Sequence, residues 1–188
     1  MKNESNIIEI PRGTYKDEII RSMEWLGRKK DTIFLGQSVK FSGNAIYNTL
    51  STLPPEKMLE VPVFEEVQMG MSAGMALEGL VPISCFPRFD FLMRCMDALV
   101  NHLDKVQYMT EGIWKPRVII RTSIGSTNPL NGGVQHTQDY TKMMKDILNE
   151  VNVVLLNEPE EIFPTFEDAY QREGSSMIIE WGDYYNEK

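Results

Sequence analysis

The sequence predicts an α/β fold, a mainly parallel sheet with helices on both faces, and three observations carry that prediction. Strand-like and helix-like segments alternate about six times along the 188 residues. The strand-like segments, such as "VPISCF" and "RVIIRTSIG", are continuous apolar runs, not in–out alternations, as strands covered on both faces are. The length suits one domain with a sizeable core.

The first dozen residues read as a loose arm over 1–13, with the domain running from 14 to 188. "TYKDEIIRSMEWLGRKKD" places Ile19, Ile20, Met23 and Leu26 at helical spacing, with Thr14 as cap and Asp17 three residues on. "TIFLGQ" is a short buried strand. "NAIYNTLSTL" is a helix stopped by Pro54 and Pro55. "MLEVPVF" is a second strand, with Pro62 at its edge or end. A helix over 65–77 follows, then "VPISCF" as a third strand.

"FLMRCMDALVNHLDKVQYM" reads as one long amphipathic helix with Met93, Met96, Leu99, Val100, Leu103 and Val106 along one side. "RVIIRTSIG" is a β-branched strand, and "STNPLNGGVQ" a loop of turn formers. Beyond it come a short helix in "HTQDYTKMMKDIL", the strand "VNVVLL", a helix in "EPEEIFPTFEDAYQRE" with an internal proline, and a last strand, "SSMIIEW". In such a sheet the ligand site lies beyond the carboxyl ends of the strands. The acids after the second strand, the segment after Cys85 and the loop after Ile124 all follow strands, so they can share one edge.

Composition excludes some functions. A net charge of −8 with no compensating basic block argues against nucleic acid. No run approaches the roughly 20 apolar residues of a membrane span, and "MKNESNIIEIPRG" lacks the apolar stretch of a signal peptide. Cys85 and Cys95 have no Cys-x-x-Cys spacing and read as reduced core thiols, which fits a cytoplasmic protein. Two histidines and two cysteines away from ligand spacing give no zinc site, and no metal is assigned to this chain.

The pair Glu65–Glu66 stands between an apolar run and a small-residue helix, in "VPVFEEVQMGMSAGMALEGL". On spacing alone these are helix-start carboxylates, stabilised by roughly 0.3–1 kcal/mol through the helix dipole. The glycines of "GMSAGMALEG" lie within a helix, so they form no phosphate-binding fingerprint.

Four stretches in order carry a resemblance to a known family. They are "VPVFEEVQMGMSAGMALEGLVPI", "CFPRFDF", "MDALVNHLDKVQYMTEG" and "IIRTSIGSTNPLNGGVQHTQ". They resemble that family's Thr-Pro-x-Ser-Glu segment with its helix and Gly-Leu-x-Pro, its aromatic turn, its Asp-Gln-x-x-Asn helix, and its Arg-x-Pro-x-Gly loop ending in Gln-His-Ser-Gln. The family is the pyrimidine-binding domain of thiamine diphosphate enzymes. Its nearest type is the beta subunit of 2-oxo acid dehydrogenases, with transketolase a more distant relation, and the likeness covers about residues 32 to 180.

The resemblance implies the thiamine diphosphate-binding fold and a role for each matching residue. Glu65 falls on the essential glutamate, which hydrogen-bonds a ring nitrogen of the aminopyrimidine and drives it to its imino tautomer. Such a carboxyl group works best in a dry site, which Val63 and Phe64 would help to keep dry. Glu66 takes a variable position. Phe91 falls where an aromatic ring stacks on the aminopyrimidine, Phe89 is near enough to share that pocket, and Val63 and Pro87 match positions that touch the cofactor. His136 matches a histidine at the substrate end of the site, where an imidazole donates a proton or orients a carboxylate. The small-residue helix is implied to lie at a subunit interface.

Absences and departures shape the functional expectation. No Gly-Asp-Gly segment occurs, so a separate chain is expected to bring the diphosphate site and its magnesium, in a heterotetramer with a homodimer contact. The chain also ends after "MIIEW", without the C-terminal domain of most beta subunits. Gln37 stands where the family usually has an acid, and Val67 where it usually has glycine. The expected function is the pyrimidine-binding subunit of a two-chain enzyme for a small 2-oxo acid or ketose, catalysing decarboxylation or acyl or ketol transfer. The alternative is an inactive domain of that fold serving as a binding or assembly partner.

Overall fold

The computed structural model describes residues 13–187. The arm expected over 1–13 therefore lies, but for Gly13, outside the described residues. The chain runs through α1 (Tyr15–Gly27), β1 (Thr32–Gly36), α2 (Ala45–Leu50), β2 (Met58–Glu60), α3 (Glu65–Leu77) and β3 (Val81–Phe86). It continues with α4 (Phe89–Leu92), α5 (Val106–Met109), β4 (Ile119–Ile124), α6 (Thr141–Ile147) and β5 (Asn152–Leu155). It closes with α7 (Pro159–Gln171), β6 (Ser176–Trp181) and α8 (Tyr184–Glu187).

The strands form a six-stranded sheet in the order β2-β1-β3-β4-β6-β5. Every pairing is parallel, so all carboxyl ends lie along one edge. Gly36 stands opposite both Glu60 and Cys85, Phe86 opposite Thr122, and Ile124 opposite Trp181. Successive strand residues point to opposite faces. Ile119 and Ile178 therefore join a core with Tyr15, Ile19, Met23 and Leu26 of α1 and Ile162 and Phe166 of α7. Ile120 and Ile179 join the other core, with Met69 of α3, Leu99 and Leu103, and Met144 of α6. Thr14 caps α1 in a capping box with Asp17, as its sequence predicts.

The central strands carry one buried ion pair. Arg121 of β4 donates from Nε to Glu180 Oε1 of β6 at 2.5 Å and from NH2 to Oε2 at 3.0 Å, and both side chains are fully buried. The Tyr185 hydroxyl of α8 donates to the same carboxylate and accepts from Arg121 at 3.2 Å. The charges are thus paired and hydrogen-bonded, which lets them sit in the interior.

Several elements differ from their sequence reading. β2 stops at Glu60, and the chain then turns through Pro62, with the Phe64 amide donating to the Pro62 carbonyl at 2.8 Å. Glu60 spends its carboxylate on the amides of Ser38 (2.5 Å) and Lys40 (2.9 Å). The single long helix expected from Phe91 is broken. It begins at Phe89, tightens to a 3₁₀ turn over Met93–Cys95 and widens to a π-helix over Asp97–Leu103. The wide stretch ends at Asp104, whose buried carboxylate accepts the consecutive amides of Asn149, Glu150 and Val151 at 2.9–3.1 Å. That satisfaction of three consecutive backbone donors, the last of them buried, fixes where the helix must pass. α8 carried no sequence signal.

Candidate functional site

Parallel pairing brings the segments after β3 and β4 to one sheet edge, as the sequence reading has it, and the loop after β1 joins them there. They enclose a hollow of about 230 Å³ lined by Gln37, Ser38, Gly43, Asn44, Pro87, Arg88, Phe91 and His136. The rings of Phe91 and His136 meet edge to face, with centroids 5.4 Å apart and planes at 84°. His136 Nδ1 is buried and has no hydrogen-bond partner among the described residues.

Close backbone approach puts His136 there. A Cβ on Gly132 would come within 2.9 Å of the His136 Cβ, and the His136 amide donates to the Gly133 carbonyl at 2.9 Å. The start of the same loop is clamped by Asp183. Its carboxylate accepts from the Ser126 hydroxyl (2.8 Å), the Thr127 amide (2.7 Å) and hydroxyl (2.8 Å), and the Asn128 amide (3.0 Å). Glu60 does the same for the loop after β1. Two strand-end carboxylates thus hold the two loops that flank the hollow.

Glu65 is the first residue of α3, and helical geometry decides which way it faces. Glu65, Gln68, Met69 and Ser72 are all buried, the i, i+3, i+4, i+7 spacing of one helix face, while Glu66 and Val67 point outward. Gln68 nails that face to the sheet. Its amide nitrogen donates to Ser84 Oγ (3.1 Å) and the Cys85 carbonyl (3.0 Å), and reaches the Leu35 carbonyl at 3.4 Å. Glu65 is 7% exposed. Its nearest cation is Arg94, Nε to Oε2 at 3.7 Å, too long for a hydrogen bond. Among the described residues its carboxylate accepts none.

The sequence-derived residues do not all gather in one place. Pro87, Phe91 and His136 share the hollow, whereas Glu65 stands on α3 outside its lining. Val63 (56% exposed) and Phe64 (60% exposed) lie on the turn before α3, so they do not keep Glu65 dry within this chain. The 3₁₀ turn at Met93–Cys95, packed against α3, covers that side instead. Phe89 leaves the hollow altogether. It is fully buried, its ring edge-on to Tyr140 at 5.5 Å, in the core beneath α4. Two residues apart on a four-residue helix, Phe89 and Phe91 face opposite ways. Sequence reasoning passed over Arg88, Ser38 and Asn44. For Arg88 the available signal was a lone cation inside an aromatic strand-end segment, "CFPRFDF".

Chemically, the hollow offers an aromatic ring and an imidazole whose inner nitrogen has no partner among the described residues, while α3, outside it, carries a buried carboxyl group with open acceptor positions. That set suits a flat heterocycle bearing ring nitrogens and exocyclic donors. Among the described residues no group of three His, Cys, Asp or Glu side chains could hold a metal ion.

Comparison with known proteins identifies the family and the fold. The sequence family described as "Transketolase, pyrimidine binding domain" matches residues 22–181. The mitochondrial pyruvate dehydrogenase E1 component subunit beta of Saccharomyces cerevisiae is 31% identical over 122 residues, 63% of this chain and 32% of that protein. The subunit beta of Rickettsia felis is 29% identical over 137 residues, 71% of this chain and 39% of that protein. The chain thus spans 32–39% of the length of these relatives. A solved structure entitled "Split gene transketolase, inactive beta4 tetramer" superposes with a TM-score of 0.68 at 18% identity, over 89% of this chain and 51% of that one. Transketolase of Campylobacter jejuni gives 0.68 at 11% identity, over 88% of this chain and 25% of that one. At those identities the two structures speak for the fold alone.

Proposed function

The chain belongs to the transketolase pyrimidine-binding domain family, and on that premise we propose that it is the pyrimidine-holding subunit of a two-chain thiamine diphosphate enzyme. Its substrate is a 2-oxo acid or a ketose, and its reaction a decarboxylation or an acyl or ketol transfer. A separate chain holds the diphosphate and magnesium. The observation that carries this reading is Glu65, buried on the inner face of α3 with no hydrogen bond to its carboxylate among the described residues.

When bound, thiamine diphosphate supplies a thiazolium carbon that its own aminopyrimidine can deprotonate. Glu65 holds a proton against a pyrimidine ring nitrogen. Phe91 offers its ring face to the heterocycle, and Pro87 backs it. His136 Nδ1 serves the substrate end, orienting or protonating a carbonyl oxygen. Val63 and Phe64 become walls of the site only once another chain covers them. Gly70 and Gly74 open outward, with nothing within 4 Å of an added Cβ, beside exposed Val67 and Leu77. That bare face is the proposed contact with a second copy in a heterotetramer. The names of the relatives support a subunit role, since they are themselves called subunit beta. A cytoplasmic setting is part of the same proposal, and no described helix is long and apolar enough to cross a membrane.

Gln37 favours a second reading. It lines the hollow where the resemblance places an acid, so this domain can equally be an inactive member that assembles with others.

The test is Glu65→Gln in the chain co-purified with its partner. The expected result is an unchanged melting temperature and a turnover loss of at least ~100-fold, the scale of acid–base catalysis. Binding of thiamine diphosphate with magnesium, followed by the change in near-ultraviolet circular dichroism, should persist more weakly. Unaltered turnover would remove Glu65 from the mechanism.

A further inference from the structure

Two hollows meet at Arg88. The first is the one that holds Phe91 and His136. The second, of about 370 Å³, is lined by Lys16, Asn48, Ser126, Tyr185 and Asn186 among others, and Gly43, Asn44 and Arg88 wall both. No Asp or Glu lines either hollow. The carboxylates at the neighbouring strand ends, Glu60 and Asp183, are engaged with backbone amides and hydroxyls. Among the described residues Arg88 pairs with no carboxylate. It donates from NH1 to the Pro87 carbonyl at 2.6 Å. Its stem is held against Gly125, where an added Cβ would stand 3.2 Å from the Arg88 Cδ. The guanidinium is therefore a positioned cation in a cleft walled by Lys16, amides and hydroxyls. A guanidinium fork matches a planar or tetrahedral oxyanion by paired hydrogen bonds.

We propose that Arg88 is a specificity residue that receives an oxyanion of the substrate in this joined cleft, the carboxylate of an oxo acid or the phosphate of a phosphorylated ketose. The word substrate rests on the function proposed above. The oxyanion site itself does not, because it involves neither Glu65 nor the partner chain.

The experiment titrates the full chain alone, in low-salt buffer free of phosphate, by calorimetry. The probes are 2-oxobutanoate, glycerol 3-phosphate and neutral hydroxyacetone. At least one anion should bind and hydroxyacetone should not. The anion that binds identifies the source. Arg88→Gln should weaken binding about 10- to 100-fold, the factor for a charge-assisted pair. Arg88→Lys, which keeps the charge but not the fork, should fall between and serves if the glutamine variant fails to fold. Equal affinity in wild type and variants, binding of hydroxyacetone as tight as that of the anions, or binding of neither anion overturns the proposal. Thiamine diphosphate is absent throughout, so the outcome is independent of the Glu65→Gln result.

Discussion

A Cβ added to Gly125 would stand 1.8 Å from the carbonyl oxygen of His136. The loop leaving β4 folds back over its own first residue, and that contact sets the depth at which the His136 ring meets Phe91. Only a hydrogen fits between the two backbones.

Gly125→Ala should therefore displace the His136 segment. Overpacking of this kind costs about 1–3 kcal/mol. Urea denaturation should show the loss, and the His136 ring signals should shift in the proton NMR spectrum. A wild-type midpoint with unmoved His136 signals would contradict the close approach.

The Arg121–Glu180 pair makes a second case. Burial works against the charge on Arg121, but the Glu180 carboxylate, Tyr185 and Cys85 together outweigh burial and push the guanidinium pKa further up. Arg121→Met or Glu180→Leu alone leaves one buried charge unpaired and should cost about 3–5 kcal/mol. The double variant should cost much less than the sum, since two apolar side chains leave no charge behind. Additive losses in a double-mutant cycle would show that the pair is not coupled.

Asp183 predicts a dependence on pH. Partial burial opposes ionisation there, but hydrogen bonds from Ser126, Asn128 and Thr127 prevail and hold its carboxyl below the usual 3.8. A folded value below the unfolded one means that the stabilisation is fully present above pH 3.8 and is lost as pH falls through the folded value. Asp183→Asn should then be less stable than wild type near neutrality, and the gap should close in acid. A gap of constant size from pH 7 down to acid unfolding would remove the clamp.

Cys85 and Cys95 should be inert in the native protein. Burial pushes the thiol of each up to about 12, with little thiolate left at neutral pH. Both are free and buried. Iodoacetamide at pH 7.5 should modify neither until urea is added, and both thereafter. Rapid labelling of the folded chain would show that one of them opens to solvent.

Much of this fold is legible in the sequence because its signals are local. β3 occupies the apolar run "VPISCF" from end to end, and α3 covers 65–77 as its small, helix-compatible residues require. The capping box of Thr14 and Asp17 needs only residues three apart. Where the reading failed, a distant partner intervened. The helix after Phe91 keeps its amphipathic stripe, yet its path bends to bring Asp104 to three amides some 45 residues away. "MLEVPVF" is β-prone, but Glu60 is drawn off by the loop after β1 and the strand ends there. Phe89 and Phe91 are equally aromatic and equally placed in sequence. Only packing under α4 buries the first and leaves the second beside His136.

By itself the sequence determined the layered α/β class, the order of the elements, and the parallel edge on which the loops would meet. These follow from periodicity and from the free energy of moving apolar side chains out of water, both written in neighbouring residues. Tertiary structure alone decided which loop residues face one another, that Arg88 bridges two hollows, and that a buried ion pair lies inside the sheet. Such outcomes depend on backbone approaches of a few ångströms between segments tens of residues apart, a distance that no pattern within either segment encodes.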